Sequence, residues 1–179
     1  MITKIILLDS KLTNHLRMDV DQSFAWKAVT FLAHSGDSWF WLIGLGLIWL
    51  FSQPWRSISA FLILSILILA VTVMAIKFTF RRSRPPGEWG AIYRNTDPHS
   101  FPSGHAARAI MLAIFTIQLG PPWLALFMAV WGILVSLSRV FTGMHYLSDV
   151  VAGGLLGLAA AQGLLLLRPS LETWLPFLF

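Results

Sequence analysis

Long apolar stretches separated by polar segments fill the chain from residue 38 onward, and the longest polar segment lies between the second and the third stretch. The second of them runs for 20 residues without a charged side chain, about the length that an α-helix needs to cross ~30 Å of hydrocarbon. The third carries one charge, Arg108, close to its beginning. The pattern predicts five transmembrane helices. They cover residues 38–55, 57–76, 103–119, 123–137 and 150–167. In the last of them, Gly153 and Gly157 form a small-xxx-small spacing that predicts close helix packing.

The first 37 residues follow a different pattern, in which lysines and arginines are interspersed with aspartates. Within them, aromatic side chains at Phe24, Trp26 and Phe31 are mixed with polar ones, which predicts a helix lying in the membrane interface. An apolar run at residues 5–8 is too short for the core of a signal peptide. A turn with helix-capping residues, at 35–38, leads into the first span.

The composition agrees with an integral membrane protein. Of the 179 residues, 56% are hydrophobic and only 12% are charged, whereas a soluble domain has about 25% charged residues. The chain has no cysteine, which excludes a disulfide framework, a thiolate zinc site and an iron–sulfur cluster. We therefore expect one all-α domain over residues 1–179, with an interfacial N-terminal segment (1–37) and a polytopic bundle of about five transmembrane helices (38–179).

An odd number of spans brings several polar helix ends to one membrane face. The second span ends at Lys77 and the third begins near Ser103. The fourth span ends at Arg139, and the fifth begins after His145. Because successive spans run in opposite directions, these four ends lie on the same side. We expect almost all of the polar chemistry to meet there.

The side chains at this face are mostly cations, with two imidazoles and few carboxylates. An ionisable residue at membrane depth is a functional candidate, because its burial costs several kcal/mol. A metal site needs a cluster of carboxylates or imidazoles, and no such spacing occurs. Cations without a metal cluster indicate an anionic ligand, with phosphate first. The set comprises Lys77, Arg81, Arg82, Arg84, Arg94, Ser103, His105, Arg108, Arg139, His145 and Asp149.

Two local patterns within this set point to chemistry. Ser103, Gly104 and His105 open the third helix, where unpaired amide groups and the positive end of the helix dipole favour an anion. His145 and Asp149 are four residues apart and share a helix face, so that the carboxylate can fix the tautomer of the imidazole. Taken singly, each pattern is also typical of an ordinary helix start.

Several members have a purely structural interpretation as cationic flanks that anchor helices at headgroup depth. We assign Arg81, Arg82 and Arg94 to that role, and we regard His15, His34 and His99 as ordinary interfacial residues. Lys77, Arg84 and Arg139 fit either interpretation. Arg108 is expected to face the site or a loop carboxylate rather than lipid.

Three spaced segments together resemble the signature of the type 2 phosphatidic acid phosphatase (PAP2) superfamily. They read Lys77-(six residues)-Arg84-Pro85, then Pro102-Ser103-Gly104-His105, then Ser138-Arg139-(five residues)-His145-(three residues)-Asp149. The match is complete at every signature residue and in the right order. The superfamily includes bacterial undecaprenyl-diphosphate, phosphatidylglycerophosphate and lipid A phosphatases, glucose-6-phosphatase and vanadium haloperoxidases.

The resemblance implies a role for each matching position. His145 would be the nucleophile that forms a phosphohistidine, with Asp149 orienting it, and His105 would protonate the leaving oxygen and later activate water. The phosphoryl oxygens would be held by Lys77, Arg84, Ser103, Gly104 and Arg139. The implied enzyme is a metal-independent lipid phosphatase without a cofactor.

The function suggested first is hydrolysis of a lipid phosphate or diphosphate, with undecaprenyl diphosphate as the first candidate. Phosphatidylglycerophosphate, phosphatidate and lipid A are alternative substrates, and a lipid phosphotransferase would share the first half-reaction. Haloperoxidase relatives are larger soluble proteins, which argues against that activity here. A non-enzymatic binder of anionic lipids would explain the cations but not the two histidines. The expected partners are the lipid substrate and membrane lipids, with no nucleic acid.

The resemblance and the charge distribution disagree about orientation. The resemblance implies a multi-pass protein of the bacterial inner membrane with its site on the outer, periplasmic face. Cations concentrate on the site side, however, and the positive-inside rule would make that side cytoplasmic. The site-side cations are Lys4, Lys11, Arg17, Lys27, Arg81 and Arg82, against Arg56 and Arg168 on the other side. We follow the resemblance.

Overall fold

Apolar helices make up most of the structure, a computed structural model that describes residues 2–20, 23–86 and 97–179. These ranges contain seven α-helices, and a short 3-10 turn at Gln53–Trp55 joins the third to the fourth. The helices are α1 (Ile2–Leu16), α2 (Phe24–Ser35), α3 (Ser38–Phe51), α4 (Arg56–Phe80), α5 (Gly104–Leu119), α6 (Pro122–Phe141) and α7 (Leu147–Trp174).

The five predicted spans correspond to α3 to α7. By length and hydropathy, the segments Gln53–Phe80, Pro122–Phe141 and Leu147–Trp174 are each sufficient to cross a membrane. The helices α3 and α5 have 14 and 16 residues, so at about 1.5 Å per residue they are shorter than a ~30 Å core. The predicted all-α, multi-pass membrane bundle is confirmed, with three full-length spans and two shorter apolar helices.

The outer surface of the bundle is apolar. Large side chains such as Leu126 on α6 and Leu155 on α7 are more than 60% exposed. Inside, the fully buried rings of Phe61 and Phe115 pack with their centroids 5.0 Å apart. An apolar exterior around an apolar core is the surface that a lipid environment stabilises.

The central helix is α5, which packs most extensively against α6 and α7. Two glycines on α7 allow the close approach. A Cβ atom at Gly153 would lie 2.4 Å from the carbonyl oxygen of Ser103, and one at Gly157 would lie 2.1 Å from that of Ala107. The predicted small-residue contact is therefore confirmed, and it fixes the start of α5 beside the start of α7.

The N-terminal segment contains two helices, whereas the sequence pattern predicted one. The expected helix is α2, which exposes Phe24 and Phe31 and buries Trp26. The additional helix, α1, has an inverted surface: Leu7 is 64% exposed, while Asp9 is only 9% exposed. Leucines outside and polar residues inside suit a helix in contact with lipid. A conventional surface helix buries its apolar residues and exposes its polar ones. Because α1 does the opposite, the usual pattern did not identify it as a helix.

Candidate active site

A cavity of about 360 Å³ lies at the end of the bundle where α4 and α6 end and α3 and α5 begin. As expected, the polar helix ends meet on this side. Six of the eight site residues selected from the sequence line the cavity: Lys77, Arg84, Gly104, His105, Arg139 and His145. We call this space the cationic cavity.

His145 is held in a tight loop between α6 and α7. Gly143 has a positive φ of 67°, a conformation that favours glycine. Beyond this bend, the backbone N–H groups of Met144 and His145 both donate to the carbonyl oxygen of Arg139 at 3.1 Å. The imidazole is 1% exposed. The loop thus aims a buried ring into the cavity beside the guanidinium group of Arg139.

The contacts of His145 define its tautomer. Nη1 of Arg84 lies 3.2 Å from Nε2 of His145 and can only donate a hydrogen bond. Nε2 therefore carries the lone pair, and Nδ1 carries the proton. Nδ1 lies 3.6 Å from Oδ2 of Asp149, slightly beyond hydrogen-bond distance. The lone pair on Nε2 of His145 consequently faces the cations of the cavity and accepts from Arg84.

His145 is neutral in this environment. Burial first of all, and then the positive charges of Arg84, Arg139 and Lys77, lower the pKa of His145 to about 3, while Asp149 acts in the opposite direction. A neutral imidazole is the form that can act as a nucleophile.

Asp149 is completely buried behind His145 and is fixed from two sides. Its Oδ2 accepts from the backbone N–H of Tyr146 at 2.9 Å, and its Oδ1 accepts from Nη1 of Arg82 at 2.7 Å. The interpretation of Arg82 as a headgroup anchor is therefore wrong. Its guanidinium is a structural partner of the carboxylate that stands next to His145.

The same guanidinium connects the site to α1. Nη2 of Arg82 donates to Asp9 at 2.6 Å, and Asp9 also accepts from the backbone N–H of Ser148 at 3.0 Å. The hydroxyl of Thr13, fully buried, accepts from the N–H of Leu147 at 3.0 Å. Asp9 and Thr13 are one helical turn apart in a leucine-rich segment. This polar pair is the feature of the sequence that indicates a polar contact made by α1. The first turn of α7 is thus held by α1.

Asp97 occupies the cationic end of the cavity and was not selected from the sequence. Its Oδ2 accepts from Nζ of Lys77 at 2.5 Å and from Nη2 of Arg84 at 2.8 Å. Lys77 also donates to the carbonyl oxygen of His99 at 2.9 Å. A carboxylate and a phosphoryl group offer similar anionic oxygens. The positions of Lys77 and Arg84 therefore suit the binding of an oxyanion.

The second imidazole, His105, lies in the first turn of α5 and contacts a carboxylate in the turn between α2 and α3. Its Nε2 is 2.6 Å from Oδ1 of Asp37, which had been selected only as a turn residue. Arg108 lines the same cavity, as expected for a residue facing the site. It donates to Oγ of Ser38 at 2.5 Å and to the carbonyl oxygen of Gly36.

Two selected residues do not line the cationic cavity. Asp149 stands behind His145, and its expected orienting role stays a prediction. Ser103 is the N-cap of α5, with its hydroxyl oxygen accepting from the N–H of Ala106 at 3.4 Å. Its expected contact with phosphate stays a prediction. Arg94, assigned to a flank, lies outside the described residues.

The charge in the cavity comes from side chains. Over residues 2–20, 23–86 and 97–179, no group of three or more His, Asp or Glu side chains is arranged to hold a metal ion.

A family model described as "PAP2 superfamily" matches residues 58–171, more than half of the chain. The chain belongs to the PAP2 superfamily. The resemblance noted in the three sequence segments is confirmed.

Curated relatives of this PAP2 chain carry phosphatase names. A protein of Sulfolobus acidocaldarius named undecaprenyl-diphosphatase is 32% identical over 133 residues, covering 72% of this chain and 64% of that protein. A phosphatidylglycerophosphatase B of Haemophilus influenzae is 45% identical over 73 residues, covering 36% of this chain and 30% of that protein. The matches thus cover less than two thirds of the length of either relative.

Two crystal structures share the fold. A transmembrane PAP2 type phosphatidylglycerolphosphate phosphatase from Bacillus subtilis gives a TM-score of 0.72 at 22% identity, covering 93% of this chain and 87% of that chain. LpxE of Aquifex aeolicus gives 0.68 at 23% identity, covering 88% of this chain and 94% of that chain. At these identities the likeness concerns the fold alone.

Proposed function

We propose that this PAP2 protein hydrolyses a lipid phosphate or diphosphate through a phosphohistidine formed on His145. The observation that carries the proposal is the lone pair on Nε2 of His145, held by Arg84 at the wall of a cavity that also contains Lys77 and Arg139. Phosphoryl transfer requires a positioned nucleophile and positive charge around the equatorial oxygens. Both requirements are met within one cavity.

In the first step, Nε2 of His145 attacks phosphorus, a P–N bond forms, and the bond to the leaving oxygen breaks. The electron pair moves to that oxygen, which takes a proton from His105. The proton on Nδ1 of His145 remains beside Asp149, whose carboxylate stabilises the positive ring. The groups that hold the equatorial oxygens are Lys77, Arg84, Arg139, the hydroxyl of Ser103 and the backbone N–H groups at Gly104.

In the second step, His105 accepts a proton from a water molecule while the water oxygen attacks phosphorus. The P–N bond breaks, its electron pair returns to Nε2 of His145, and inorganic phosphate leaves. Cationic side chains supply the charge that a metal ion supplies in other phosphoryl-transfer enzymes. We therefore propose that neither step uses a metal or another cofactor.

A lipid substrate fits the composition of the cavity wall. The space continues from the cations to an apolar wall on α3 and α4 that consists of Trp39, Leu69, Ala70, Val73 and Met74. A phosphorylated headgroup and the first carbons of its chain would contact these two parts. A polyprenyl diphosphate is the first candidate, supported by the name of the Sulfolobus relative. Phosphatidylglycerophosphate, phosphatidate and lipid A phosphate are the alternatives.

The test is an assay of purified protein against undecaprenyl diphosphate, phosphatidylglycerophosphate, phosphatidate and lipid A, with released phosphate as the readout. We expect release from at least one lipid and none with His145→Ala. If phosphate appears on a second lipid instead of in solution, the enzyme is a phosphotransferase. Folded protein that releases or transfers no phosphate from any of the four lipids contradicts the proposal.

We also propose that the site faces the outer side of a bacterial inner membrane, as the PAP2 resemblance implies. The chain leaves α7 at the end of the bundle opposite the cationic cavity, so Phe179 would then be cytoplasmic. A fluorescent protein fused after Phe179 should fluoresce in the cytoplasm, whereas alkaline phosphatase at the same place should be inactive. Active alkaline phosphatase reverses the orientation and supports the positive-inside count.

A further inference from the structure

The turn between α2 and α3 brings a carboxylate into the cationic cavity. Asp37 lines this space together with His105, Arg108 and Arg139. Its Oδ1 lies 2.6 Å from Nε2 of His105, and its Oδ2 lies 3.4 Å from Nδ1 of His34. The Asp37 carboxylate is therefore the acidic group in direct contact with the second imidazole of the site.

The backbone of the turn between α2 and α3 is held by close packing and hydrogen bonds. The fold therefore fixes the position of Asp37 next to His105. A Cβ atom at Gly36 would lie 2.8 Å from a methyl group of Val135 and 3.2 Å from the ring of His105, so the turn packs closely against both side chains. Nε of Arg108 donates to the Gly36 carbonyl oxygen at 2.9 Å. Nη1 of Arg139 donates to the carbonyl oxygen of Ala33 at 3.2 Å. Arg108 and Arg139, two cations that line the cationic cavity, thus also hold the turn in place.

Ser35 anchors the same turn from its outer side. Its carbonyl oxygen accepts from the indole N–H of Trp41 at 3.1 Å, and its hydroxyl accepts from the indole N–H of Trp131 at 3.0 Å. These contacts place Asp37 without involving its carboxylate. A variant at Ser35 can therefore loosen the turn while the charge beside His105 is retained.

The contact determines which nitrogen of His105 reacts. Burial raises the pKa of Asp37, but hydrogen bonds and charge attraction to His105 and His34 outweigh burial and lower it to about 2. An ionised carboxylate only accepts hydrogen bonds, so Nε2 of His105 carries a proton. Nδ1 is then the nitrogen that exchanges a proton with substrate or water. Asp149 likewise lies next to an imidazole, with its Oδ2 3.6 Å from Nδ1 of His145.

We propose that Asp37 is a positioning residue for His105, which fixes its tautomer and stabilises the imidazolium form from which Nδ1 gives a proton to the leaving oxygen. The inference rests on the proposed phosphatase function. When the P–O bond breaks, the proton on Nδ1 moves to the leaving oxygen and His105 becomes neutral. When water attacks the phosphohistidine, that proton is regained from the water, and the Asp37 carboxylate again faces an imidazolium.

The first test compares leaving groups in single-turnover experiments. An alkyl phosphate such as phosphatidate expels an alkoxide, which needs a proton, whereas a 4-nitrophenyl phosphate expels a weakly basic phenolate. We expect Asp37→Asn to slow the alkyl ester about 10–100-fold, part of the roughly 10²–10⁴-fold effect of general acid catalysis, and the aryl ester much less. KM should stay unchanged, and the alkaline limb of the pH–rate profile should move to lower pH.

That pH shift has a defined sign. The ring of His105 faces Asp37 at hydrogen-bond distance and the cations Arg108 and Arg139. The same cavity is also lined by Lys77, Arg84, His145 and a second carboxylate, Asp97, while His34 contacts Asp37. Asp97 is already paired with Lys77 and Arg84, so removal of the Asp37 charge takes away the carboxylate that stabilises the protonated ring, and the acid form is lost at lower pH. The control Ser35→Ala should lower thermal stability and keep the leaving-group dependence of the wild type. Equal losses on both esters with Asp37→Asn overturn the proposal.

A second measurement does not depend on turnover. Nitrogen-15 NMR of labelled protein in detergent, with His105→Gln used to assign the signal, reports the tautomer directly. We expect Nε2 of His105 to be protonated in the wild type and a tautomer mixture in Asp37→Ala. A wild-type ring with its proton on Nδ1 overturns the inference even if the protein hydrolyses lipids. A protein with the expected tautomer but without phosphate release refutes the proposed function instead.

Discussion

At the scale of single residues, the carboxylate of Asp97 lies where a phosphoryl group must bind if the proposed reaction takes place. It accepts from Lys77 at 2.5 Å and from Arg84 at 2.8 Å. Since both cations are almost completely buried, they are attracted to whichever anion is present. Substrate therefore has to displace Asp97 from these two side chains.

Replacement of Asp97 by Asn should strengthen the binding of phosphate analogues. A hydrogen bond to a charged group contributes about 1.5–3 kcal/mol, so loss of the competing carboxylate should lower the inhibition constant of orthovanadate about tenfold. Asp19→Asn is the matched control, because Asp19 is exposed outside the cavity and its replacement removes the same charge. An unchanged constant in Asp97→Asn would show that substrate does not compete with this carboxylate.

The sequence predicted those residues of the candidate site that are related by a local spacing. It did not predict the residues that reach the site only through contacts between distant parts of the chain. Asp149 follows His145 by four positions, and this spacing predicts a shared face. Asp37 meets His105 only because a turn from a different part of the chain docks on α5. Arg82 was misassigned for the same reason, since its partner Asp9 lies in a helix that the pattern did not predict.

At the scale of secondary structure elements, the start of α5 depends on its close contact with α7. Gly157→Ala should destabilise the protein, because the added Cβ would lie 2.1 Å from a backbone oxygen and overpacking costs about 1–3 kcal/mol. Gly163→Ala is the control on the same helix: no atom lies within 4 Å of the added Cβ, and helix propensity favours Ala by about 1 kcal/mol. Thermal unfolding in detergent should show shifts of opposite sign. A lower melting temperature for both variants would contradict this packing.

The helix α1 supports the surroundings of His145 through Arg82 and Asp149, although none of its described side chains lines the cationic cavity. Asp9→Ala removes the acceptor for Arg82 and for the N–H of Ser148, so Asp149 should be held less firmly. We expect phosphoenzyme formation to slow about tenfold, roughly the cost of 1.4 kcal/mol in the transition state. Asn14→Ala, at an exposed position of α1, should leave the rate unchanged. Equal rates in wild type and Asp9→Ala would show that α1 does not position the site.

Helix positions were predictable because hydrophobic length is a local property of the sequence. All five apolar stretches became helices, and the small-residue spacing of Gly153 and Gly157 correctly indicated a close contact. Helix ends were less predictable. The helix α4 continues to Phe80, past the predicted end at residue 76, because its last turn stays apolar apart from the buried Lys77.

At the scale of the whole molecule, the bundle places one cationic cavity at one end and an apolar surface around its sides. If the proposed reaction takes place, activity should persist in excess EDTA and be inhibited by orthovanadate, because buried cationic side chains would stabilise pentacoordinate phosphorus. The measurement is phosphate release from the preferred lipid with and without chelator. Loss of activity in EDTA that magnesium restores would refute the metal-free reaction.

The most direct test of the proposed reaction is to trap the covalent intermediate. Enzyme mixed with lipid labelled at the terminal phosphate and quenched in alkali within one turnover should carry the label in an acid-labile, base-stable bond. Mass spectrometry should locate it on His145, with no label in His145→Ala and a small, slowly formed amount in Asp149→Asn, which retains the nucleophile but orients it poorly. Rapid hydrolysis without a labelled protein, or a label on another residue, would contradict the account.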